Sequence, residues 1–327
     1  MNLRDKIILI CIDEAHVSLR SQWGHDDMRQ DMYNAPSYLR AQVATTTRAP
    51  VLAMTASAKV KGEQKKTKSE IEEIKAMCAI QYSDTTVITI SPVLHNHLYM
   101  VVKKPPSANG LYGSSCSSLT PQKIGSLHVL WRIYLKNFVN DLKNGREPKR
   151  AILYVTRLDD LGELDNFLTL ELEHLDITRN PRTCPWVTNC SVTGKITAEQ
   201  IRERSREENS SIYLYITTSV MLFGLNIRDI SIVILFSPFT SLNSILQAGG
   251  RAGRRQKNGK RKKTVVYTLY NGTDVRKNSP MQSSVRDFCT SKSCLKEKMN
   301  SHFSSLSITQ QSRDWCCNLC RINTQFV

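Results

Sequence analysis

Two short motifs carry the side chains of this chain that are best suited to phosphate chemistry. Asp13-Glu14-Ala15-His16 follows an apolar run at residues 7–12, and residues 247–254 read Gln-Ala-Gly-Gly-Arg-Ala-Gly-Arg. A carboxylate at the end of a buried strand can orient Mg²⁺, and its neighbour can polarise an attacking water. Arginines supplied by a second lobe can stabilise the charge that develops on a γ-phosphate. The two motifs together predict an ATP site shared between two lobes.

The sequence contains no G-x-x-x-x-G-K-[ST] phosphate loop, and its nearest fragment, at residues 193–196, lacks the first glycine and the final hydroxyl. Asp13 and Glu14 can act only where backbone N–H groups and a lysine cradle the phosphates. We therefore expect these residues alone to lack ATPase activity and to belong to an incomplete open reading frame. The alternatives are a complete binding module without ATPase activity and a decayed gene copy.

The charge of the chain favours a polyanionic partner. The 45 basic and 29 acidic residues give a formal net charge of +16, and binding nucleic acid releases the counterions of its phosphates. Much of the excess positive charge lies at residues 254–263. Such a basic run is typical of a solvated loop, a nuclear localisation signal or a phosphate-binding segment. There is no apolar run long enough for a membrane span and no signal peptide. These features predict an intracellular protein, nuclear if the cell is eukaryotic, that binds nucleic acid and no membrane.

Short apolar, β-branched runs alternate with helix-patterned stretches, which predicts an α/β fold with a parallel sheet covered on both faces. The runs are residues 7–12, 51–54, 151–155, 212–217, 232–236 and 265–269. Val129, Ile133, Phe138 and Leu142 trace an amphipathic helix. The predicted domains are a first lobe at 1–104, a Pro/Gly/Ser-rich linker at 105–122, a second lobe at 123–270 and a cysteine-bearing tail at 271–327.

The motifs resemble those of the RecQ-like branch of superfamily 2 DNA helicases, over residues 7 to 320. The resemblance implies two RecA-like lobes, the first truncated, followed by a small helical zinc-binding subdomain. It also implies ATP- and Mg²⁺-dependent 3′–5′ unwinding of duplex DNA by translocation along single-stranded DNA. The alternative is an ATPase-dead module that binds nucleic acid or a partner protein.

For the nucleotide site, the resemblance implies eight residues: Asp13, Glu14, His16, Gly224, Asp229, Gln247, Arg251 and Arg254. Glu14 would be the catalytic base, Arg251 would contact the γ-phosphate or a bridging acid, and Arg254 would be the arginine finger. The chain departs from the family at Leu222, where a glycine is usual and a Cβ would crowd a close backbone approach. It departs again at Arg255, where the family often has an aspartate.

For the nucleic-acid track, the resemblance implies six residues: Gln22, Trp23, His25, Thr55, Ser57 and Thr218. A tryptophan at a lobe edge suits this role, because bases stack on an aromatic face without sequence preference. The loop that carries Trp23 departs from the family in two ways. The connection at residues 17–21 is longer than usual, and the aromatic expected shortly after Asp26 is absent.

Five cysteines lie between residues 289 and 320, and such clustering in an intracellular chain favours zinc over disulfides. A C-x-x-C knuckle supplies two thiolates to a tetrahedral ion from a single turn. The resemblance implies a structural Zn²⁺ held by Cys294, Cys316, Cys317 and Cys320. Because Cys316 and Cys317 are adjacent, Cys289 or His302 is an alternative to Cys316.

Overall fold

The computed structural model describes residues 10–12, 15, 51–55, 70–77, 86–88, 91–104, 127–173, 184–189, 211–219, 227, 229–254, 261–303 and 315–320. The chain divides into two compact units. One unit comprises Met1–Val93 and Glu297–Thr309, and the other comprises Leu94–Lys296 and Gln310–Val327.

The first unit contains a parallel pair of strands, β1 (Ile10–Ile12) and β2 (Val51–Ala53), in which Ile10 lies opposite Val51 and Ile12 opposite Ala53. Helix α1 (Glu70–Met77) contributes Ile74 to a small core that also holds Ala15. Ile12, Val51 and Ala53 pack against this core. Apolar side chains of both strands therefore join the helix in one hydrophobic cluster.

The second unit contains a six-stranded sheet in which every neighbouring pair is parallel. Its strands are β3 (His97–Lys103), β4 (Ala151–Tyr154), β5 (Trp186–Asn189), β6 (Leu214–Thr217), β7 (Ile232–Leu235) and β8 (Thr264–Tyr270). The order across the sheet is β3-β8-β7-β4-β6-β5. All four residues of the central strand β4 are buried, as expected for a parallel strand covered on both faces.

The sequence predicted strands at the positions of β1, β2, β4, β6, β7 and β8, and the structure confirms them. It missed β3 and β5. Strand β3 runs beside β8 from the pair His97 and Thr264 to the pair Lys103 and Tyr270, so a segment that we assigned to the first lobe lies in the second sheet. Backbone hydrogen bonds join β3 to β8. Because these bonds involve no side chains, the sequence does not show which distant segments pair.

Helical segments cover the sheet of the second unit. The segments α2 (Leu127–Leu130), a π-helical turn (Trp131–Leu135) and α3 (Lys136–Lys143) follow one another without a break. The predicted helix is confirmed, and Phe138 of the predicted row is buried, but the rest of that row lies beside the buried face. Leu130, Tyr134 and Leu135 are buried, whereas Val129 and Ile133 are only half-buried. The buried positions recur at the ordinary helical spacing of three and four residues, but most residues from 127 to 135 are apolar, so periodicity alone does not single out the buried face.

The remaining helices are α4 (Leu158–Leu172), α5 (Leu242–Gly249), α6 (Ser283–Cys289) and α7 (Leu295–Phe303). Helix α4 buries Leu164, Phe167, Leu168 and Leu172 in the main hydrophobic core. In the described part of the chain, no helix has the length and apolar character needed to cross a membrane.

Replacing Phe167 by alanine should lower the free energy of unfolding of the second unit by about 3–5 kcal/mol, because it leaves a cavity in the core. The ring is fully buried and meets Trp131 edge to face at 5.7 Å. Leu170→Ala in the same helix, at a side chain that is 52% exposed, should change stability by under about 0.5 kcal/mol. Denaturant unfolding followed by circular dichroism measures both, and equal losses would contradict this placement of the core.

Candidate functional site

The predicted arginines lie in a turn that follows helix α5, here called the arginine turn (residues 250–254). The helix is capped at its start, where the Ser241 hydroxyl oxygen accepts a hydrogen bond of 3.2 Å from the Ser244 N–H. At its end, the Arg251 N–H donates to the Ala248 carbonyl at 3.1 Å. The helix thus passes directly into the turn through short backbone bonds.

The backbone of the arginine turn is clamped at Gly253. Its N–H donates to the Ile230 carbonyl, and its carbonyl accepts from Asn96 Nδ2, each at 3.1 Å. Gly253 has a φ of +62°, and a Cβ there would collide with Asn96 Nδ2 and lie 2.6 Å from Thr264 Oγ1. This position requires glycine for two independent reasons, the backbone angle and the lack of space.

Two cations occupy the half-buried surface of this turn. Burial, followed by the charge of Arg251, lowers the pKa of the Arg254 guanidinium, whereas Tyr154 raises it. Arg251 and Arg254 therefore repel each other in a partly desolvated setting, where charge interactions are stronger than in water. An anion bound beside them would relieve this repulsion. Gln247, one helical turn earlier, is also half-buried.

In the first unit, the ends of β1 and β2 lie side by side. The Met54 N–H donates to the Ile12 carbonyl at 2.8 Å, and the Ala15 N–H donates to the Met54 carbonyl at 2.9 Å. The backbone of the predicted Asp-Glu-Ala-His motif is therefore bonded, through Ala15, to the residue before the half-buried Thr55. The structure thus brings together the strand ends that carry two of the predicted motifs.

Two further predicted residues lie in the second unit near strand ends. Thr218 is half-buried directly after β6, and Asp229 is exposed shortly before β7 with a φ of +60°. The other predicted residues of the nucleotide site and the nucleic-acid track lie outside the described residues: Asp13, Glu14, His16, Gln22, Trp23, His25, Ser57 and Gly224.

Four cysteine Sγ atoms lie within 4.8 Å of one another and form the cysteine cluster: Cys294, Cys316, Cys317 and Cys320. The Sγ atoms of Cys294 and Cys316 are 3.4 Å apart, and those of Cys317 and Cys320 are 3.5 Å apart. Four thiolates at about 2.3 Å from a tetrahedral zinc ion would lie about 3.8 Å from one another. The size and the donor set of the cluster therefore fit such an ion.

The structure brings together the four predicted cysteines, and the cluster includes neither of the alternative ligands, Cys289 and His302, both of which lie in the described part of the chain. Cys289 is 3% exposed, and burial raises the pKa of its thiol to about 12. In contrast, hydrogen bonds with Cys294 and then Cys316 lower the pKa of the Cys317 thiol. A thiolate is the form that binds metal, and Cys317 has the surroundings that favour it.

The cysteine knuckle (residues 315–320) lies on the free edge of β3. The Tyr99 N–H donates to the Cys316 carbonyl at 3.2 Å. Asn318 Nδ2 donates to the Val101 carbonyl at 3.2 Å, and its Oδ1 accepts from the Val101 N–H at 3.4 Å. The knuckle thus occupies backbone groups that an edge strand would otherwise expose.

A buried lysine accompanies the cysteine cluster. Lys296 is 1% exposed, and its Nζ donates to the carbonyls of His95 and Trp315, each at 3.1 Å. Burial lowers the pKa of this ammonium, and the four cysteines raise it. Because four thiolates around a divalent ion leave a net negative charge, a buried ammonium beside them compensates part of that charge.

Sequence reasoning missed Asn96 and Lys296, although both are buried and donate hydrogen bonds to backbone carbonyls around the predicted sites. Neither residue belongs to a motif, and a single polar residue in a sequence carries no sign of burial. Their roles follow from backbone carbonyls far away along the chain, which only the folded structure brings near.

Residues 134–256 match the protein family described as the helicase conserved C-terminal domain. The matched region contains β4, β5, β6, β7, helix α5 and the arginine turn. No curated protein sequence matches the chain significantly. The matched region thus holds four of the six strands of this sheet, whereas β3 and β8 lie outside it.

Solved helicase structures resemble the chain at low sequence identity. The DUF1998 helicase MrfA bound to DNA is 12% identical, with a TM-score of 0.52, over 81% of this chain and 29% of MrfA. S. cerevisiae Dbp5 bound to RNA and ADP BeF3 is 16% identical, with a TM-score of 0.48, over 83% of this chain and 55% of Dbp5. Mycobacterium smegmatis Lhr bound to ssDNA and AMP-PNP is 14% identical, with a TM-score of 0.48, over 83% of this chain and 30% of Lhr. The chain thus spans about half or less of the length of these proteins.

Gly253→Ala should destabilise the second unit by about 2–4 kcal/mol, since it combines a strained backbone angle with overpacking. The matched control is Gly162→Ala in α4, where an added methyl group would meet nothing within 4 Å. That change should stabilise the protein by about 0.5–1 kcal/mol. Thermal unfolding of the two variants measures the difference, and a neutral Gly253→Ala would contradict the clamp.

Proposed function

We propose that this chain is part of a RecQ-type helicase that uses ATP to unwind duplex DNA while moving 3′–5′ along a single strand. The observation that carries the proposal is the arginine turn, because it places two arginines, on a backbone clamped at Gly253, within the region that matches the helicase domain. The cysteine cluster on the same sheet supports the RecQ type, in which a zinc-binding subdomain follows the second lobe.

The proposed chemistry divides the work between the two lobes. Asp13 orients Mg²⁺ and Glu14 polarises the attacking water, while Arg254 stabilises the charge that develops on the transferred phosphoryl group. Arg251 holds the γ-phosphate, and its nearby charge makes a doubly cationic site for an anion. The clamp at Gly253 serves this chemistry, because a preorganised cation needs no rearrangement during the reaction.

The nucleic acid in this proposal is DNA, bound along Trp23, Thr55 and Thr218, in an intracellular and, in a eukaryote, nuclear setting. MrfA and Lhr were solved with DNA and Dbp5 with RNA, so the general fold serves both. The choice of DNA rests on the RecQ-like motifs and the cysteine cluster. Matched DNA and RNA strands of one sequence, compared at several salt concentrations, test this choice directly.

A second candidate function is an ATPase-dead module that binds nucleic acid. It is favoured by one observation, namely that these 327 residues contain no phosphate-loop motif. The two candidates differ in turnover and agree in nucleic-acid binding, so an ATPase measurement separates them.

In a protein that joins this chain to a phosphate-loop segment, Arg254→Ala should reduce DNA-stimulated ATP turnover by about 10³–10⁵-fold. DNA affinity should stay nearly unchanged, because an arginine finger acts on charge in the transition state. Arg276→Ala removes an exposed arginine outside the turn and should leave both quantities unaltered.

Three outcomes are decisive for this test. An equal loss of DNA affinity in Arg254→Ala would move this residue from the nucleotide site to the nucleic-acid track. Turnover that persists in Arg254→Ala would contradict the finger. An absence of turnover in the joined protein, with DNA binding retained, would favour the ATPase-dead module.

The proposal includes a structural zinc ion in the cysteine cluster, held by Cys294, Cys316, Cys317 and Cys320. The ion would stabilise the knuckle and supply no catalytic chemistry. A region as short as residues 271–327 buries little apolar surface by itself, so metal ligation supplies part of its stability.

Purified protein should contain one Zn²⁺ per chain, and Cys320→Ser should abolish zinc binding and make the knuckle sensitive to proteases. Cys184→Ser is the matched control, because Cys184 is half-buried and lies outside the cluster. Elemental analysis and limited proteolysis measure these properties. A zinc-free protein with a protease-resistant knuckle would show that the cysteines pack without a metal.

A further inference from the structure

We propose that Asn96 and His97, at the start of β3, are positioning residues that hold the arginine turn and connect it to the cysteine knuckle. The catalytic meaning of the arginine turn rests on the function proposed above. The connection itself rests on contacts that all lie within the second unit.

Asn96 is the residue that contacts both sites directly. It is 5% exposed, and its Nδ2 donates to the Gly253 carbonyl at 3.1 Å and to the Lys262 carbonyl at 2.7 Å. Its backbone carbonyl accepts from the indole N–H of Trp315, in the knuckle, at 2.8 Å. The side-chain amide of Asn96 therefore binds residues at both ends of the basic segment (residues 254–263). Its backbone carbonyl binds the knuckle.

His97 makes a second bond to the arginine turn. Its Nε2 lies 3.3 Å from the Ala252 carbonyl, and its Nδ1 lies 3.4 Å from the Tyr99 hydroxyl. A carbonyl can only accept, so Nε2 carries the proton and the Tyr99 hydroxyl donates to Nδ1. Burial lowers the pKa of His97, the bond to Ala252 opposes this, and the charges of Lys296, Arg261 and His95 add to it, so that the pKa is about 4. The ring is therefore neutral near pH 7, which is the form that this pair of bonds requires.

Residues 95–99, at and just before the start of β3, are attached to the knuckle at three places. Lys296 Nζ joins the carbonyls of His95 and Trp315, Asn96 accepts from Trp315, and the Tyr99 N–H donates to Cys316. Residues 95–99 thus lie between the cluster ligands and the arginine turn, with hydrogen bonds on both sides. Chains of hydrogen bonds and rigid strands are the elements through which sites couple.

These bonds make the position of the arginine turn depend on the knuckle. When the cysteine cluster is ordered by its metal, Trp315 and Cys316 hold the start of β3, and Asn96 and His97 hold the carbonyls of the turn. When the knuckle is released, the turn loses this support. A displacement of about 1 Å in a catalytic group can lower the reaction rate about 10²-fold. Whether the knuckle is folded would therefore determine whether the arginines are correctly placed for ATP hydrolysis.

Hydrogen exchange on the full chain tests the connection without ATP or DNA. The reporter is the peptide that contains the Gly253 amide, whose N–H is bonded to Ile230. Asn96→Ala and His97→Ala should each accelerate exchange of this peptide by at least about tenfold, because local opening becomes easier. Zinc content and the exchange of β6 should stay at their wild-type values.

Two more conservative variants test the connection, one on the side of the arginine turn and one on the side of the knuckle. His97→Gln keeps an N–H that can reach the Ala252 carbonyl and should restore most of the protection lost in His97→Ala. Trp315→Phe removes the indole donor to Asn96 but keeps an aromatic ring beside Lys263. It should accelerate exchange of the arginine turn, as should Cys320→Ser. These variants keep the test informative if Asn96→Ala fails to fold.

The matched control is Asn271→Ala. Asn271 is also a 5% exposed asparagine, but it lies directly after β8 and accepts bonds from Thr273 and Asp274. Its loss should leave the arginine turn protected. Equal acceleration in Asn271→Ala, or an arginine turn unaffected by Trp315→Phe and Cys320→Ser, would overturn the proposal. Because exchange reports geometry alone, failure of the ATPase proposal would not change these results.

Discussion

The second unit depends on the pairing of β3 with β8, which places a distant segment of the chain at the edge of the sheet. This pairing brings Asn96 beside Gly253 and Trp315, so the arginine turn and the cysteine knuckle share one support. It also creates an exposed strand edge, which the knuckle then covers. A single strand pairing therefore supports both candidate sites.

Electrostatics gives the two sites opposite characters. The arginine turn holds two cations in a partly desolvated place, where burial and mutual repulsion lower the pKa of Arg254. The cysteine cluster holds four sulfur ligands, and the buried ammonium of Lys296 lies close enough for them to raise its pKa. The first arrangement suits a phosphate and the second suits a divalent cation. The buried ammonium of Lys296 is tolerated because the carbonyls of His95 and Trp315 accept its hydrogen bonds.

Much of the fold could be predicted, because burial leaves a periodic trace in the sequence. The continuous apolar runs of β4, β6 and β7 indicated a parallel sheet, and the spacing of the cysteines indicated a cluster. The buried face of the first helical segments could not be predicted, since most residues from 127 to 135 are apolar and the pattern does not single out one face. The strand β3 could not be placed either, since its partner lies more than a hundred residues away.

The sequence by itself determined which residue types could do chemistry: the arginines of the 247–254 motif, the acidic motif at residues 13–16 and the four cysteines. Spacing conveys such information because local turns bring near neighbours together. Only the tertiary structure decided what holds these residues, namely the clamp of Asn96 on Gly253 and the bonds of Lys296 and Trp315 around the knuckle. Those contacts join backbone carbonyls, which are the same in every residue and therefore leave no mark in the amino-acid sequence.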